Sequence, residues 1–451
     1  MLPLVWLIFR NINMSSKIIS QRGALAASTA LRTDMDLFFE ASADLWNEAS
    51  NPTGKLPLNM AENNLTWNMM RAEMESVLRN NSIPDWVSNY TSPAGAPDFL
   101  EAVAGFMNRY VSAHPIIPSE LFAAAGCTAI LELMAWVLCD EKDVAVIPAP
   151  SYPVYTQDIN IKGKVERYDL QTHFDLDNLG DKEILSLEKL ETTKIHLEKE
   201  GKVFKLLLLT SPDNPTGRIF TQGELDNISN WCIKHEVHLV VNEIYALSII
   251  DTNNPVVDND YIYEVPFRSF AEIISLKQNP FLHLIYGLSK DFGSSGFRVG
   301  LFHSKNEMVM RALGNLNGPH MVSNLTQWLF SKILTNHEFL DRYIVANQER
   351  LSRSYYTVVK TLKALNLPYI PARGSLFSWF DLSELLENNN KEQEHKLWMD
   401  LYEEEGVLLT PADGFGNKKF GQFRLVHSYL QEAALTEAMK RLKRFVIKRR
   451  K

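Results

Sequence analysis

Lys290 and Arg298 stand eight residues apart in Ser289-Lys290-Asp291-Phe292-Gly293-Ser294-Ser295-Gly296-Phe297-Arg298-Val299-Gly300, directly after the apolar run His283-Leu284-Ile285-Tyr286. A lysine amine condenses with a carbonyl compound to a Schiff base, and a guanidinium fork matches a phosphate. A lysine that leaves a buried strand into a Gly-rich bend, with such a fork nearby, is an arrangement for holding pyridoxal phosphate. A surface lysine in a turn that happens to precede an arginine accounts equally well for this segment taken alone, because short motifs match by chance.

Two further segments favour the cofactor. Ser211-Pro212-Asp213-Asn214-Pro215-Thr216-Gly217 follows the apolar run Leu206-Leu207-Leu208-Leu209-Thr210, as expected of a loop at the carboxyl end of a sheet, where open α/β folds bind ligands. The Asn214 amide suits a phenolic ring oxygen. Val237-His238-Leu239-Val240-Val241 leads in turn into Asn242-Glu243-Ile244-Tyr245, which presents two polar side chains from another strand end. Three strand ends thus converge on one pocket. With these motifs in this order, the chain resembles the class I/II aminotransferases, the fold-type-I group of pyridoxal phosphate enzymes, from about Ser20 to the C-terminus.

The resemblance implies roles. Lys290 would carry the cofactor and then act as general acid and base, while Tyr245 and Asn214 would bind the ring oxygen. Gly126-Cys127-Thr128 opens a helix-like run, so its N–H groups and the Thr128 hydroxyl suit an anion at a helix N-terminus, although a plain helix start explains the same residues. In the family's pattern the phosphate cradle lies there and at Arg298. Tyr152, in Pro150-Ser151-Tyr152-Pro153, matches the aromatic ring that stacks on the pyridine. Tyr90, in Tyr90-Thr91-Ser92-Pro93-Ala94-Gly95, matches a tyrosine that reaches the neighbouring subunit's phosphate, which implies a homodimer with shared active sites. Arg424, in Phe423-Arg424-Leu425-Val426, matches a bidentate clamp for an α-carboxylate, a structural salt bridge being the alternative. Pro57-Leu58-Asn59-Met60-Ala61-Glu62-Asn63-Asn64-Leu65 is similar to the N-terminal segment of 1-aminocyclopropane-1-carboxylate synthases. That similarity puts Ala61 at the substrate and Glu62 near the substrate side chain, among the catalytic residues.

Two departures from the family pattern bear on the chemistry. The family has an aspartate facing the pyridine nitrogen, where this chain has Asn242. A carboxylate keeps that nitrogen protonated and the ring a deep electron sink, whereas an amide does not hold the proton. Gly287 stands where the synthase relatives have serine, which removes one phosphate hydroxyl. The resemblance implies an enzyme acting on a small α-amino acid or amino-acid conjugate, with transamination favoured. The alternative is elimination, as in 1-aminocyclopropane-1-carboxylate synthases and carbon–sulfur lyases, which Asn242 makes more plausible. A non-catalytic descendant that binds the cofactor is a third reading.

The elements that must position these groups follow from periodicity. Apolar runs at 144–147, 205–210, 237–241, 283–286 and 299–303 alternate with amphipathic stretches, which predicts an α/β fold with a largely parallel sheet flanked by helices. The resemblance makes this a seven-stranded sheet in a large domain. Thr221-Gln222-Gly223-Glu224 is a capping-box signal for a helix start. Residues 181–202 and 251–278 read as charged excursions. A helix over about 336–365 leads to a smaller C-terminal domain with strands at 375–381 and 422–426 and a closing helix at 431–446. The expected organisation is an N-terminal extension (1–19), an N-terminal segment packing with the small domain (20–80), a large cofactor-binding domain (81–335), and a bridging helix with the small domain (336–451).

Composition sets the remaining bounds. The 451 residues, 45% hydrophobic, suffice for two domains with a substantial core. Cys127, Cys139 and Cys232 include no Cys-x-x-Cys pair, so neither a disulfide framework nor a zinc site is suggested. His235 and His238 straddle a helix-to-strand change, which spoils a paired-histidine metal site and leaves them as ordinary surface residues. A net charge of −8 argues against nucleic-acid binding. The basic run 440–451 reads as the solvated face and frayed end of a helix. Residues 2–9 are apolar but too short to span a bilayer, with no basic residue before them. Met14 makes a natural start, residues 1–13 being an extension, and the expected location is cytoplasmic.

Overall fold

A computed structural model describes residues 18–28, 34–172, 184–261 and 264–450. The short strand β1 (Leu56–Pro57) precedes a central sheet built from β2 (Leu121–Ala124), β3 (Val144–Ala149), β4 (Glu166–Gln171), β5 (Phe204–Thr210), β6 (His238–Asn242), β7 (Leu282–Gly287) and β8 (Gly300–Ser304). Its seven strands run in the order β2-β8-β7-β6-β5-β3-β4. Every pairing is parallel except those of β8, which runs antiparallel to β7 and β2. The chain is therefore an α/β protein with a mostly parallel sheet.

Successive side chains of a strand point to opposite faces, and the two faces of this sheet serve different cores. Leu207, Leu209, Leu239, Val241, Leu282 and Leu284 enter one apolar cluster, together with the helices Pro97–Tyr110, Gln222–Lys234 and Asn324–Thr335. Leu206, Leu208, Val240, Ile285 and Phe302 enter the other, against the helix Cys127–Leu138. Covering both faces explains why these strands read as continuous apolar runs. The Thr221 capping box forms with both reciprocal bonds, fixing the start of the Gln222–Lys234 helix.

The helix His337–Ala364, capped by the Asn336 side chain, leads to a second unit. There β9 (Phe377–Asp381), β10 (Val407–Leu408), β11 (Thr410–Pro411) and β12 (Gln422–Val426) form two small sheets, in the order β11-β12-β9 and as a parallel pair of β10 with β1. A third apolar cluster fills this region and includes Leu56, Trp398, Phe423 and Phe445.

Three expectations change. The segments at 181–202 and 251–278 are more than excursions, because Leu190, Leu197, Phe270, Ile273 and Ile274 are buried in the larger core. The basic C-terminal run stays helical to Arg449. Arg441 there is buried and donates to the Gly54 and Glu405 carbonyls, both at 2.9 Å, and Lys448 pairs with Glu404 at 2.9 Å. His238 is 8% exposed and shares a 3.0 Å hydrogen bond with His283, so it is a core residue rather than a surface one. Residues 1–13 and Met14 lie outside the described residues. Among the described residues, no helix is long and apolar enough to cross a membrane.

Candidate active site at the carboxyl edge of the central sheet

Strand direction brings the sequence motifs to one edge. β2, β3, β5, β6 and β7 all end there, and β8 begins there, with Ala124 and Gly287 both paired to Gly300. The segments that follow these ends supply Gly126-Cys127-Thr128, Tyr152, Asn214, Tyr245 and Lys290, and Arg298 lies just before β8. Between them is an open cavity lined by these residues.

Lys290 sits in a short helical turn, Leu288–Asp291, immediately after β7. Its Nζ donates to the Ala61 carbonyl at 2.6 Å, and its own carbonyl accepts from Asn63 Nδ2 at 3.2 Å. Burial lowers the amine to about 8, against the pull of the Glu62 carboxylate. An uncharged nucleophile is thus within reach near neutral pH. The next residue, Asp291, is buried and accepts from Leu247 N, Ser248 Oγ and Tyr286 Oη, which pins the turn that presents the lysine.

Gly126 caps the helix Cys127–Leu138 with φ of +91°, and a Cβ there would stand 2.4 Å from Arg298 Nη2. The missing side chain lets the guanidinium lie across the helix start, where the first N–H groups have no partner within the helix. Arg298 donates to the Ser295 carbonyl at 3.0 Å and the Ala125 carbonyl at 3.4 Å, and Thr128 is exposed to the cavity. One guanidinium, a hydroxyl and a helix N-terminus at one end of a pocket suit a phosphate.

Asn242 ends β6 and is buried. Its Oδ1 accepts from Ile244 N at 3.2 Å, and its Nδ2 donates to Tyr155 Oη at 2.9 Å. Tyr155 also shares a 2.7 Å bond with Thr210 Oγ1. Tyr152 meets the Tyr155 ring edge-on at 5.2 Å and lines the cavity. Tyr245 lines it too, its phenol held protonated by burial and hydrogen-bonded to Asn214.

Ala61, Glu62 and Cys127 line the same cavity, so ten of the twelve residues singled out in the sequence come together. The two others stand apart. Arg424, 1% exposed, lies behind Asn214, donating to its Oδ1 at 3.0 Å and to the Asn59 carbonyl at 2.8 Å, with its guanidinium 4.7 Å from the Phe377 ring centre. It therefore reaches the cavity through Asn214. Tyr90 is 101% exposed and makes no part of the cavity within its own chain. The sequence reading missed Tyr155 and Asp158, which line the cavity from the helix Tyr155–Asn160. Their spacing of three, one helical turn after the stacking-type Tyr152, was the available signal.

Comparison with known proteins gives a consistent picture. Residues 53–442 match a family model described as aminotransferase class I and II. The chain is 28% identical over 425 residues to 1-aminocyclopropane-1-carboxylate synthase 7 of Arabidopsis thaliana, covering 90% of each chain. It is also 28% identical over 428 residues to a probable inactive 1-aminocyclopropane-1-carboxylate synthase-like protein 2 of Mus musculus, covering 93% of this chain and 71% of that one. An aspartate aminotransferase from Thermus thermophilus with maleate superposes with a TM-score of 0.75 at 18% identity, covering 95% of this chain and 99% of the other, which shows the shared fold.

Proposed function

The chain belongs to the aminotransferase class I and II family, whose members are generally pyridoxal-phosphate-dependent, and from that premise we propose that it is a pyridoxal phosphate enzyme that removes the α-proton of a small amino acid and expels a leaving group from its side chain. The residues present fit the cofactor. Lys290 faces the cavity, a cationic cradle lies at the Gly126 helix start, and Asn214 and Tyr245 converge as ring-oxygen partners. Bound there, the cofactor supplies an electron sink for the substrate's α-carbon.

The residues of the chain then divide the work. Lys290 anchors the cofactor and afterwards carries the α-proton on its Nζ. Arg298, Thr128 and the N–H groups of the helix start hold the phosphate, and Tyr152 covers one ring face. Tyr245 and Asn214 orient the ring oxygen. Arg424 engages the carboxylate by way of the Asn214 side of the cavity. Glu62 gives the side-chain end a negative wall, which disfavours acidic substrates. Tyr90, exposed in one subunit, is the group offered to a second copy, in keeping with a family whose members are typically homodimers.

Asn242 carries the choice of reaction. A neutral amide clamped by Ile244 N and Tyr155 Oη stands where a carboxylate would secure a ring proton. The weaker sink suits a substrate whose own leaving group drains the charge, and relatives named as 1-aminocyclopropane-1-carboxylate synthases support that reading. The test is a panel of amino acids with side-chain leaving groups, incubated with and without a keto-acid acceptor. Product without acceptor is expected. Product only with acceptor would assign transamination, and cofactor binding without product would assign a non-catalytic role.

A further inference from the structure

One buried acid in the cavity has no role in the proposed chemistry. Asp158 is 4% exposed and lines the cavity with Asn242, Tyr155 and Lys290, and its Oδ2 has no hydrogen-bond partner. Native proteins keep few buried polar atoms unsatisfied, and an unsatisfied carboxyl on a residue that lines a cavity is placed to meet a ligand. Asp158 follows Tyr155 by three residues on the helix Tyr155–Asn160, so the two share a helix face. Tyr155 in turn is bonded to Asn242. Amide, phenol and carboxyl thereby line one cavity, on the side where the resemblance at Asn242 puts the ring nitrogen.

We propose that Asp158 exchanges a proton with the cofactor's pyridine nitrogen, so that the nitrogen is protonated only in part and the sink, weaker than a carboxylate at position 242 would make it, depends on pH. The exchange is one proton with no change of oxidation state. It leaves Asp158 Oδ2 for the nitrogen lone pair, and the carboxylate remains as the counter-ion; the reverse restores both neutral groups. The groups around Asp158 favour a poised acid. Glu132, from the helix Cys127–Leu138, presents a like charge, itself engaged by Lys162 at 2.7 Å and His320 at 3.1 Å. Cys127, from the same helix, is held as a neutral thiol by burial, and Tyr155 as a neutral phenol, also by burial. Lys290 and Arg298 supply the cations that line the cavity. Burial first, then Glu132, raises the Asp158 carboxyl to about 7, so its charge changes near neutral pH.

This inference rests on the cofactor assignment, and the experiment separates the two. Apoprotein is reconstituted with pyridoxal phosphate carrying 15N in the ring, and the ring-nitrogen chemical shift is followed against pH. If the wild-type protein acquires no visible absorption band, the cofactor assignment itself fails. If it does, the ring nitrogen is expected to titrate with a midpoint near 7, and Asp158→Asn should lose that midpoint while keeping the band. Glu132→Gln, outside the cavity, removes the like charge and should move the midpoint to lower pH, and it decides the matter alone should the Asp158 variant not fold. A wild-type nitrogen that does not titrate between pH 5 and 9, an Asp158→Asn protein that titrates like wild type, or an unmoved midpoint in Glu132→Gln overturns the proposal.

Discussion

Replacing Gly287 by serine restores the hydroxyl that synthase relatives present at this position, yet the single substitution should destabilise the protein. A Cβ at 287 would stand 2.7 Å from Cys127 Sγ and 3.1 Å from the Val299 carbonyl oxygen. The thiol has little freedom to withdraw, because it is buried and donates to the Tyr286 carbonyl at 3.3 Å. Forcing one extra carbon into such a site costs about 1–3 kcal/mol. Cys127→Ala removes the obstructing sulfur, and the serine hydroxyl can then reach the phosphate, where a bond to a charged acceptor contributes about 1.5–3 kcal/mol. The double variant should therefore recover most of the stability lost by Gly287→Ser, and bind pyridoxal phosphate about tenfold more tightly than wild type, a gain of about 1.4 kcal/mol. Urea unfolding of the four proteins gives the stabilities, and cofactor titration of the four apoproteins gives the affinities. Independent sites would give effects additive to about 0.5 kcal/mol. Additivity in the unfolding data would refute the steric coupling, and an unchanged affinity in the double variant would refute the placement of the phosphate beside residue 287.

Four other outcomes are expected. Lys290→Ala should lose both turnover and the visible band that borohydride otherwise fixes onto the protein, and capture of cofactor by wild-type apoprotein should speed up as pH rises to about 8 and then level, since burial lowers the amine to that value. Asn242→Asp should accelerate exchange of the substrate α-proton, read by NMR in deuterated water, a change of about 1.4 kcal/mol in the barrier giving tenfold; unchanged exchange in a folded, cofactor-bound variant would remove Asn242 from the ring nitrogen. Mixing Tyr90→Phe and Lys290→Ala subunits should give activity that the Lys290→Ala homodimer lacks, altered as one composite site regaining both groups requires, whereas a fully active monomer by sedimentation would end the shared-site reading. Glu243, bonded to Ser269 Oγ and Phe270 N, is raised by burial to about 8; its native state keeps a proton that the unfolded chain has lost, so stability falls as pH rises from about 4.5 through 8, and Glu243→Gln should flatten that slope in unfolding measurements.

Much of the site was legible because the strands that carry it are unambiguous. Leucine and valine runs such as Leu206 to Leu209 are buried on both faces, and each ends in a polar turn at the same edge, so one rule about strand ends located Asn214, Tyr245 and Lys290 together. What the sequence hid depends on distance along the chain. The missing serine at 287 reads as a lost hydroxyl, but the space is taken by Cys127, a contact no local pattern announces. Arg424 reads as a clamp in the pocket, while packing against Phe377 and Asn214 sets it one layer back. Charge misled at 181–202, where Leu190 and Leu197 are buried at helical spacing amid exposed glutamates and lysines. Asp158 sits on a helix of six residues, too short for periodicity to mark which face turns inward.

The wall formed by Ala61 and Glu62 is held from the far end of the chain. β1 pairs with β10, Leu58 N donates to the Leu408 carbonyl at 2.8 Å, Val426 N to the Leu58 carbonyl at 2.8 Å, and Ser428 Oγ to the Glu62 carbonyl at 2.8 Å. During synthesis the segment that faces Lys290 emerges from the ribosome before the central sheet, and its supports after it. A nascent chain that has already made the central sheet and its lysine has the Ala61 carbonyl but not yet the strands that hold it where that lysine is tethered. Completion of the pocket is thereby coupled to synthesis of residues 407–428, and a chain cut short before residue 407 loses the ordered position of Glu62 although every residue of the central sheet is present.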